Sequence, residues 1–321
     1  MSDQRFVIVT GGAGFIGSHL VERLLKDGKS VVVIDDLSTG SRENLQSVEN
    51  HPRLRLVESK ISDCAKLPDL AARAEFIFHL AATVGVELVV KSALHVLESS
   101  FNETQILLRA ASSHSTPLLL TSSSEVYGKS AKPDFSEEDD LLIGPPSHSR
   151  WSYACAKLTD EFLALACARE RKLPVTIARL FNTVGPRQTG RYGMVLPRFI
   201  AAAQTGKPLQ VFGDGTQSRC FCFVHDAVEA LMRLQHCEPA RGEIFNIGGT
   251  EEISILELAQ RVVITLGSKS KVELIPYDQA YAPGFDDMRR RKPLVEKLER
   301  LVGFKPQTPL NEIIRLTAVS P

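Results

Sequence analysis

No run of apolar residues in the chain approaches the roughly 18 needed to span a bilayer. No signal-type segment opens it, because charge and glycine interrupt the first apolar run early. Net charge of either sign is missing, with 38 Lys and Arg against 38 Asp and Glu. Bulk electrostatics therefore draw the chain to neither nucleic acid nor an anionic membrane. The six cysteines (Cys64, Cys155, Cys167, Cys220, Cys222 and Cys237) form no CxxC pair and no metal-ligand spacing. Reduced thiols, a cytoplasmic location and no metal site are the expectation. Internal repeats and low-complexity tracts are absent as well.

What is present begins with Val7-Ile8-Val9-Thr10-Gly11-Gly12-Ala13-Gly14-Phe15-Ile16-Gly17. An apolar run, a glycine turn and an amphipathic segment read as strand, loop and helix. Backbone N–H groups and the helix dipole make such a junction an anion site. Gly11 suits the tight turn, Gly14 lets a pyrophosphate approach, and Gly17 lets the helix pack close to the strand. A second apolar run, Val31 to Ile34, ends in Asp35 and Asp36. An acidic residue at that distance bonds a ribose 2′-OH and repels a 2′-phosphate, which favours NAD; nearby Arg42 keeps NADP as the minority reading.

Strands are expected at 6–10, 31–35, 53–57, 76–80, 117–121 and 175–180, with helices near 16–27, 86–112 and 151–171. That alternation predicts an α/β fold, a Rossmann-type doubly wound parallel sheet with a smaller mixed α/β substrate-binding domain. Residues 1–184 would form the NAD-binding domain, with 220–236 returning to it. Residues 185–219 and 237–321 would form the second domain, with a helix over 195–204 and a strand from Leu209.

Ligands of such sheets sit beyond the strands' carboxyl ends, so the residues there are the candidates. They include Asp35, Asp36, Leu37, Ser38, Thr39 and Gly40 after the second strand, and Leu80, Ala81, Ala82 and Thr83 after the fourth. His79 reads as structural. Asn102 falls in a helical pattern facing the sheet, as a tether or a turn cap. After the fifth strand comes Thr121-Ser122-Ser123-Ser124-Glu125. Hydroxyls there can donate to a substrate oxygen, and Glu125, partly desolvated, can act as a base or an orienter; a serine-rich turn is the plain alternative. Tyr153 and Lys157 are four apart on one helix face. An ammonium and an oxidised nicotinamide near a phenol would make it a base near neutral pH. Asn182 and Arg187 can reach an anionic or amide group. The basic run from Arg289 to Lys292 is either a solvated face or a grip for phosphate or carboxylate.

The glycine turn, HLAA, SSSEVYG, Tyr153-x-x-x-Lys157, RLFNTVGPR and FGDGTQSR together resemble the extended short-chain dehydrogenase/reductases that modify nucleotide sugars. The resemblance spans essentially the whole chain. RWSYACAK resembles UDP-apiose/UDP-xylose synthases. The pattern through Arg291 resembles those enzymes, UDP-glucuronate decarboxylases and the decarboxylating domain of a bifunctional lipid-A-modifying enzyme. Ser124 stands where the apiose-forming enzymes carry cysteine, and the Asp of the dehydratases' Asp-Glu pair is missing.

The resemblance implies Ser123, Glu125, Tyr153, Lys157 and Arg291 as catalytic residues. It implies NAD held by Gly11, Gly14, Phe15, Ile16 and Gly17, the 35–40 loop, Leu80 to Ala82, Asn102, Tyr153 and Lys157. A UDP-sugar would meet Thr83, Ser124, Glu125, Asn182, Arg187, Val195, Phe212, Arg219 and Arg291. The implied reaction is C4 oxidation by hydride transfer, then decarboxylation of UDP-glucuronate to a UDP-pentose or UDP-4-keto-pentose. A UDP-sugar 4-epimerase is the nearest alternative, and a non-catalytic NAD-binding protein a remote one. A homodimer through helices near 86–112 and 151–171 is implied by analogy.

Overall fold

Val, Ile and Phe dominate the first strand, and all five of its residues are buried, as a strand covered on both faces requires. The structure, a computed structural model, describes residues 5–82, 92–189, 194–276 and 288–319. In chain order the elements begin β1 (Phe6–Thr10), α1 (Phe15–Lys26), β2 (Val31–Asp35), β3 (Leu54–Glu58), α2 (Leu67–Arg73), β4 (Ala74–His79) and α3 (Ala93–Ser112). Then come β5 (Leu118–Ser123), α4 (Ser152–Arg171), β6 (Val175–Leu180), β7 (Thr183–Val184), α5 (Val195–Gln204), β8 (Leu209–Phe212) and β9 (Ser218–Cys220). The last are β10 (Cys222–Phe223), α6 (Val224–Gln235), β11 (Ile244–Ile247), β12 (Glu252–Ser254), α7 (Ile255–Leu266), β13 (Val272–Ile275), α8 (Glu296–Val302) and α9 (Leu310–Ala318).

Seven strands form one parallel sheet in the order β11-β6-β5-β4-β1-β2-β3. Helix α1 buries Leu20, Val21, Leu24 and Leu25 on one face, each worth roughly 2 kcal/mol. Helices α1 and α6 share one core with β1, β2 and β11, while α2, α3 and α4 cover the other face. The sheet is one strand wider than the sequence division implies. Ile244–Ile247, expected in the second domain, pairs with β6: Phe245 and Ile247 join the core under α1 and α6, and Asn246 on the other face is hydrogen-bonded to Tyr127 and Phe135. A second core gathers α5, α7 and α9 around the β8–β13 and β9–β12 pairs. Among the described residues no helix is long and apolar enough to cross a membrane.

β5 and β6 run in register from Leu118↔Val175 to Ser123↔Leu180, so their carboxyl ends are level. Beneath those ends lies a core of Val126, Tyr127, Phe135, Trp151, Phe181 and Met288. Polar groups border it: Arg179 grips Glu161 through two bonds of 2.9 and 2.8 Å and donates to the Tyr127 hydroxyl at 3.0 Å. Tyr127 in turn donates to Asn246 Oδ1 at 2.7 Å. Phe135 pairs with the distant 292–294 segment, accepting from Leu294 N–H at 2.9 Å and donating to the Lys292 carbonyl at 2.8 Å.

The Arg179–Glu161 pair is almost fully buried. Glu161→Gln strands a buried guanidinium and is expected to lower the unfolding free energy in urea by about 3 kcal/mol. The double change Glu161→Leu with Arg179→Met is expected to lose far less.

Candidate active site

The glycine turn sits at the carboxyl end of β1. Gly11 has φ +70°, and a Cβ there would lie 2.7 Å from the Ala81 nitrogen, so the HLAA backbone packs directly on the turn. A Cβ on Gly17 would lie 2.1 Å from the Gly11 carbonyl oxygen, which fixes the close seat of α1. Asp35 is buried, and each carboxylate oxygen accepts one backbone N–H, Oδ2 from Ala13 and Oδ1 from Leu37, both at 2.9 Å. Burial, helped by Asp36, pushes this carboxyl above its ordinary value. The bond to Oδ1 also holds Leu37 in left-handed backbone, φ 58°.

Each Asp35 oxygen keeps a lone pair for a hydroxyl donor. A 2′-phosphate would meet a buried carboxylate instead. Arg42, the residue suited to such a phosphate, ion-pairs with Glu58. The cradle fits NAD. Leu80, Ala81 and Ala82 flank it half-buried, Phe15 and Ile16 open α1, and Gly40 packs on Ala13 and Asp35. Asp36, Ser38 and Thr39 are exposed, with Asp36 Oδ1 accepting from Ser38.

Beyond β5 lies Glu125, 8% exposed and held between two guanidinium groups. Arg291 Nη2 is 2.5 Å from Oε1, and Arg150 Nη1 is 2.6 Å from Oε2. Burial works to raise the Glu125 pKa, but Arg291 and Arg150, with Arg219 adding to the field, hold it at about 2. Of the two roles expected for Glu125, this geometry suits the orienter: a carboxylate so clamped stays ionised and takes no proton near neutral pH.

Ser123 hydrogen-bonds the Tyr153 phenol. Burial pushes that phenol above its ordinary value and Glu125 adds to the rise, while the Ser123 bond and Arg291 oppose it. The Lys157 ammonium donates to the Thr121 carbonyl at 3.2 Å and lies 3.6 Å from Asp160. The direction is therefore opposite to the acidification expected from the Tyr-Lys spacing. His79 is structural, as its position suggested: Nδ1 lies 2.7 Å from Thr10 Oγ1 and Nε2 3.1 Å from Thr104 Oγ1. Burial, then Lys157, lowers its pKa to about 3.

The structure thus gathers Ser123, Glu125, Tyr153, Lys157 and Arg291 around one place and adds Arg150. The sequence signal for Arg150 was a charge immediately before the aromatic that opens α4. Ser124 is buried within the turn. Asn182 donates to the Cys220 carbonyl at 3.0 Å, and Arg219 is buried with Nη1 on the Ser218 carbonyl at 2.7 Å. Phe212 ends β8 under the Arg198 guanidinium, 4.2 Å from the ring centre, and Val195 opens α5.

Two candidates lie elsewhere. Asn102 is exposed rather than facing the sheet, because Ser100 and Thr104, four apart, take the inward face of α3. Arg187 is drawn to α1, 2.5 Å from Glu22 and 3.1 Å from Ser18 Oγ. Thr83 lies outside the described residues.

Residues 7–248 match the NAD dependent epimerase/dehydratase family. The chain belongs to this family. It is 41% identical over 300 residues to UDP-N-acetyl-alpha-D-glucosaminuronate decarboxylase of Bacillus cytotoxicus, covering 93% of this chain and 92% of that one. It is 35% identical over 319 residues to UDP-glucuronic acid decarboxylase 4 of Arabidopsis thaliana, covering 95% of this chain and 66% of that one. Among solved structures, UDP-glucuronic acid 4-epimerase of Bacillus cereus, in complex with UDP-4-deoxy-4-fluoro-glucuronic acid and NAD, superposes with a TM-score of 0.86. That protein is 29% identical, and 97% of each chain is covered. The parallel sheet with its glycine turn is the short-chain dehydrogenase/reductase fold of this epimerase/dehydratase family.

The clamp on Glu125 makes stability depend on acid. Its folded pKa, about 2, lies below the ordinary 4.5, so its contribution is complete above about 4.5 and is lost as pH falls through 2. The size is roughly 3 kcal/mol. Glu125→Gln is expected to cost most at neutral pH, with the gap to the unsubstituted protein narrowing in urea titrations between pH 4.5 and 3.

Proposed function

We propose that the chain is an NAD-dependent UDP-sugar decarboxylase acting on a UDP-hexuronate. The observation that carries the reading is charge. Arg150 and Arg291 converge on Glu125 in a buried site, so two guanidiniums, the side chains best suited to grip a carboxylate, meet beside the Tyr153 phenol. A uronate C6 carboxylate gains a charge-assisted pair there; the neutral CH₂OH of a hexose does not. The names of the two decarboxylase relatives agree with this.

Gly11, Gly14, Gly17, Asp35 and the 80–82 backbone would hold NAD, with Tyr153 and Lys157 at its nicotinamide end. When bound, NAD supplies the two-electron acceptor that makes a ketone of the sugar's C4 alcohol. Tyr153, steadied by Ser123, takes the proton of the C4 hydroxyl. With a ketone at C4 the C6 carboxylate is that of a β-keto acid. The C5–C6 bond breaks, CO₂ leaves, and the electron pair passes to the C4 enolate, which is then protonated at C5. Arg291 and Arg150 orient the carboxylate, and Glu125 holds both guanidiniums in place. Asn182, Phe212 and Arg219 would hold the nucleotide. Helices α3 and α4 pack together and expose Leu94, Leu97, Phe101 and Phe162, the apolar face through which a homodimer would form.

The test is incubation with NAD and UDP-glucuronate or UDP-N-acetylglucosaminuronate, following CO₂ and the sugar by NMR. CO₂ release is expected, lost by at least a hundredfold in Tyr153→Phe and Arg291→Met. UDP-galacturonate, or its N-acetyl counterpart, without CO₂ would select the 4-epimerase. Phe162→Glu is expected to shift sedimentation toward the monomer.

A further inference from the structure

Behind Tyr153 and Lys157 lies a carboxylate that no step above uses. Asp160, one turn after Lys157 on α4, is wholly buried, with Oδ2 3.6 Å from the Lys157 ammonium. Ser100 of α3 donates to the same oxygen at 2.7 Å, and Thr104, one turn further on, also bonds this carboxylate. Burying a carboxylate between two helices costs several kcal/mol where alanine or leucine would pack. The helix contact therefore does not explain the residue; the ammonium beside it does.

We propose that Asp160 is a positioning residue: it holds the Lys157 ammonium toward α3 and, through it, sets the pH at which Tyr153 loses its proton. The inference rests on the reading of Tyr153 as the base for the C4 hydroxyl. A carboxylate this close cancels much of the field that the ammonium exerts on a phenol one turn back. The other groups facing the phenol come from separate elements: Ser123 from β5, Glu125 from the turn after it, and Arg291 from the 288–294 segment. Arg150 answers Glu125, and His79 from β4 faces Lys157 as a neutral ring. Glu125 and Asp160 disfavour the phenolate, and Arg291 favours it. Glu125 acts on the phenol directly and is paired with guanidiniums of its own, whereas Asp160 is the carboxylate beside Lys157.

The test is Asp160→Asn, which keeps the shape and removes the charge. The acid limb of the kcat/KM profile is expected to move to lower pH by about one unit. A merely structural role would lower activity and leave the limb in place. Independently of turnover, the cofactor-free protein labelled with ¹³Cζ-tyrosine is titrated by NMR, with the Tyr153 signal assigned by its loss in Tyr153→Phe. Ionisation of that signal is expected to begin at lower pH in Asp160→Asn. Asp160→Ser, which also removes the charge, is expected to shift the onset in the same direction, and it decides the matter if Asp160→Asn does not fold. Equal onset in the unsubstituted protein and in the variant that folds overturns the proposal. Full turnover in Tyr153→Phe would instead overturn the reading of the base, whatever the titration shows.

Discussion

A buried carboxylate gripped by two buried guanidinium groups governs the arrangement of this site. Glu125 is tolerated there because both oxygens are answered, and Arg150 and Arg291 are tolerated because Glu125 is present. Removing Glu125 leaves two guanidiniums facing each other, and removing either arginine takes the ion-pair partner from one carboxylate oxygen. The triad therefore behaves as a unit, and it fixes the mutual placement of three parts of the chain: the turn after β5, the entry to α4 and the 288–294 segment. The aromatic layer of Tyr127, Phe135, Trp151 and Phe181 beneath it supplies the dry surroundings that make the pairing strong.

The fold was largely legible from local pattern. Runs such as Val31–Asp35 and Val175–Leu180 are short, apolar and bounded by turn residues, and the glycines of the first loop leave few alternatives. The Tyr153 and Lys157 spacing places two groups on one helix face whatever the tertiary structure. What escaped depends on contacts distant in sequence. Arg150 acquires meaning from Glu125, and Asp160 from Ser100 and the Lys157 ammonium, 60 and three positions away. Asn102 was misplaced by two positions of helical phase, half a turn. Arg187 was drawn off by Glu22, a partner 165 residues earlier. Strand β11 lies in the large sheet rather than in the unit expected, because a short strand such as Ile-Phe-Asn-Ile carries no local signal for which sheet edge it joins.

Electrostatic sign proved harder to read than position. A lysine one turn from a tyrosine suggests an acidified phenol, yet desolvation and the Glu125 charge drive the phenol the other way. A proximity rule gives the direction of one contribution; burial decides the sum. The same holds for Glu125, where desolvation alone would favour a protonated acid and two guanidiniums reverse the outcome.

The hydrogen bonds joining Phe135 to Lys292 and Leu294 tie the loop before α4 to a segment near the end of the chain. Synthesis runs from the amino end, so the parallel strands through β6, the glycine cradle and the Glu125–Arg150 pair can all emerge from the ribosome before Arg291 exists. The nascent molecule then holds a dinucleotide-ready half with an unfinished charge triad. Completion of translation is thus also completion of the charge triad.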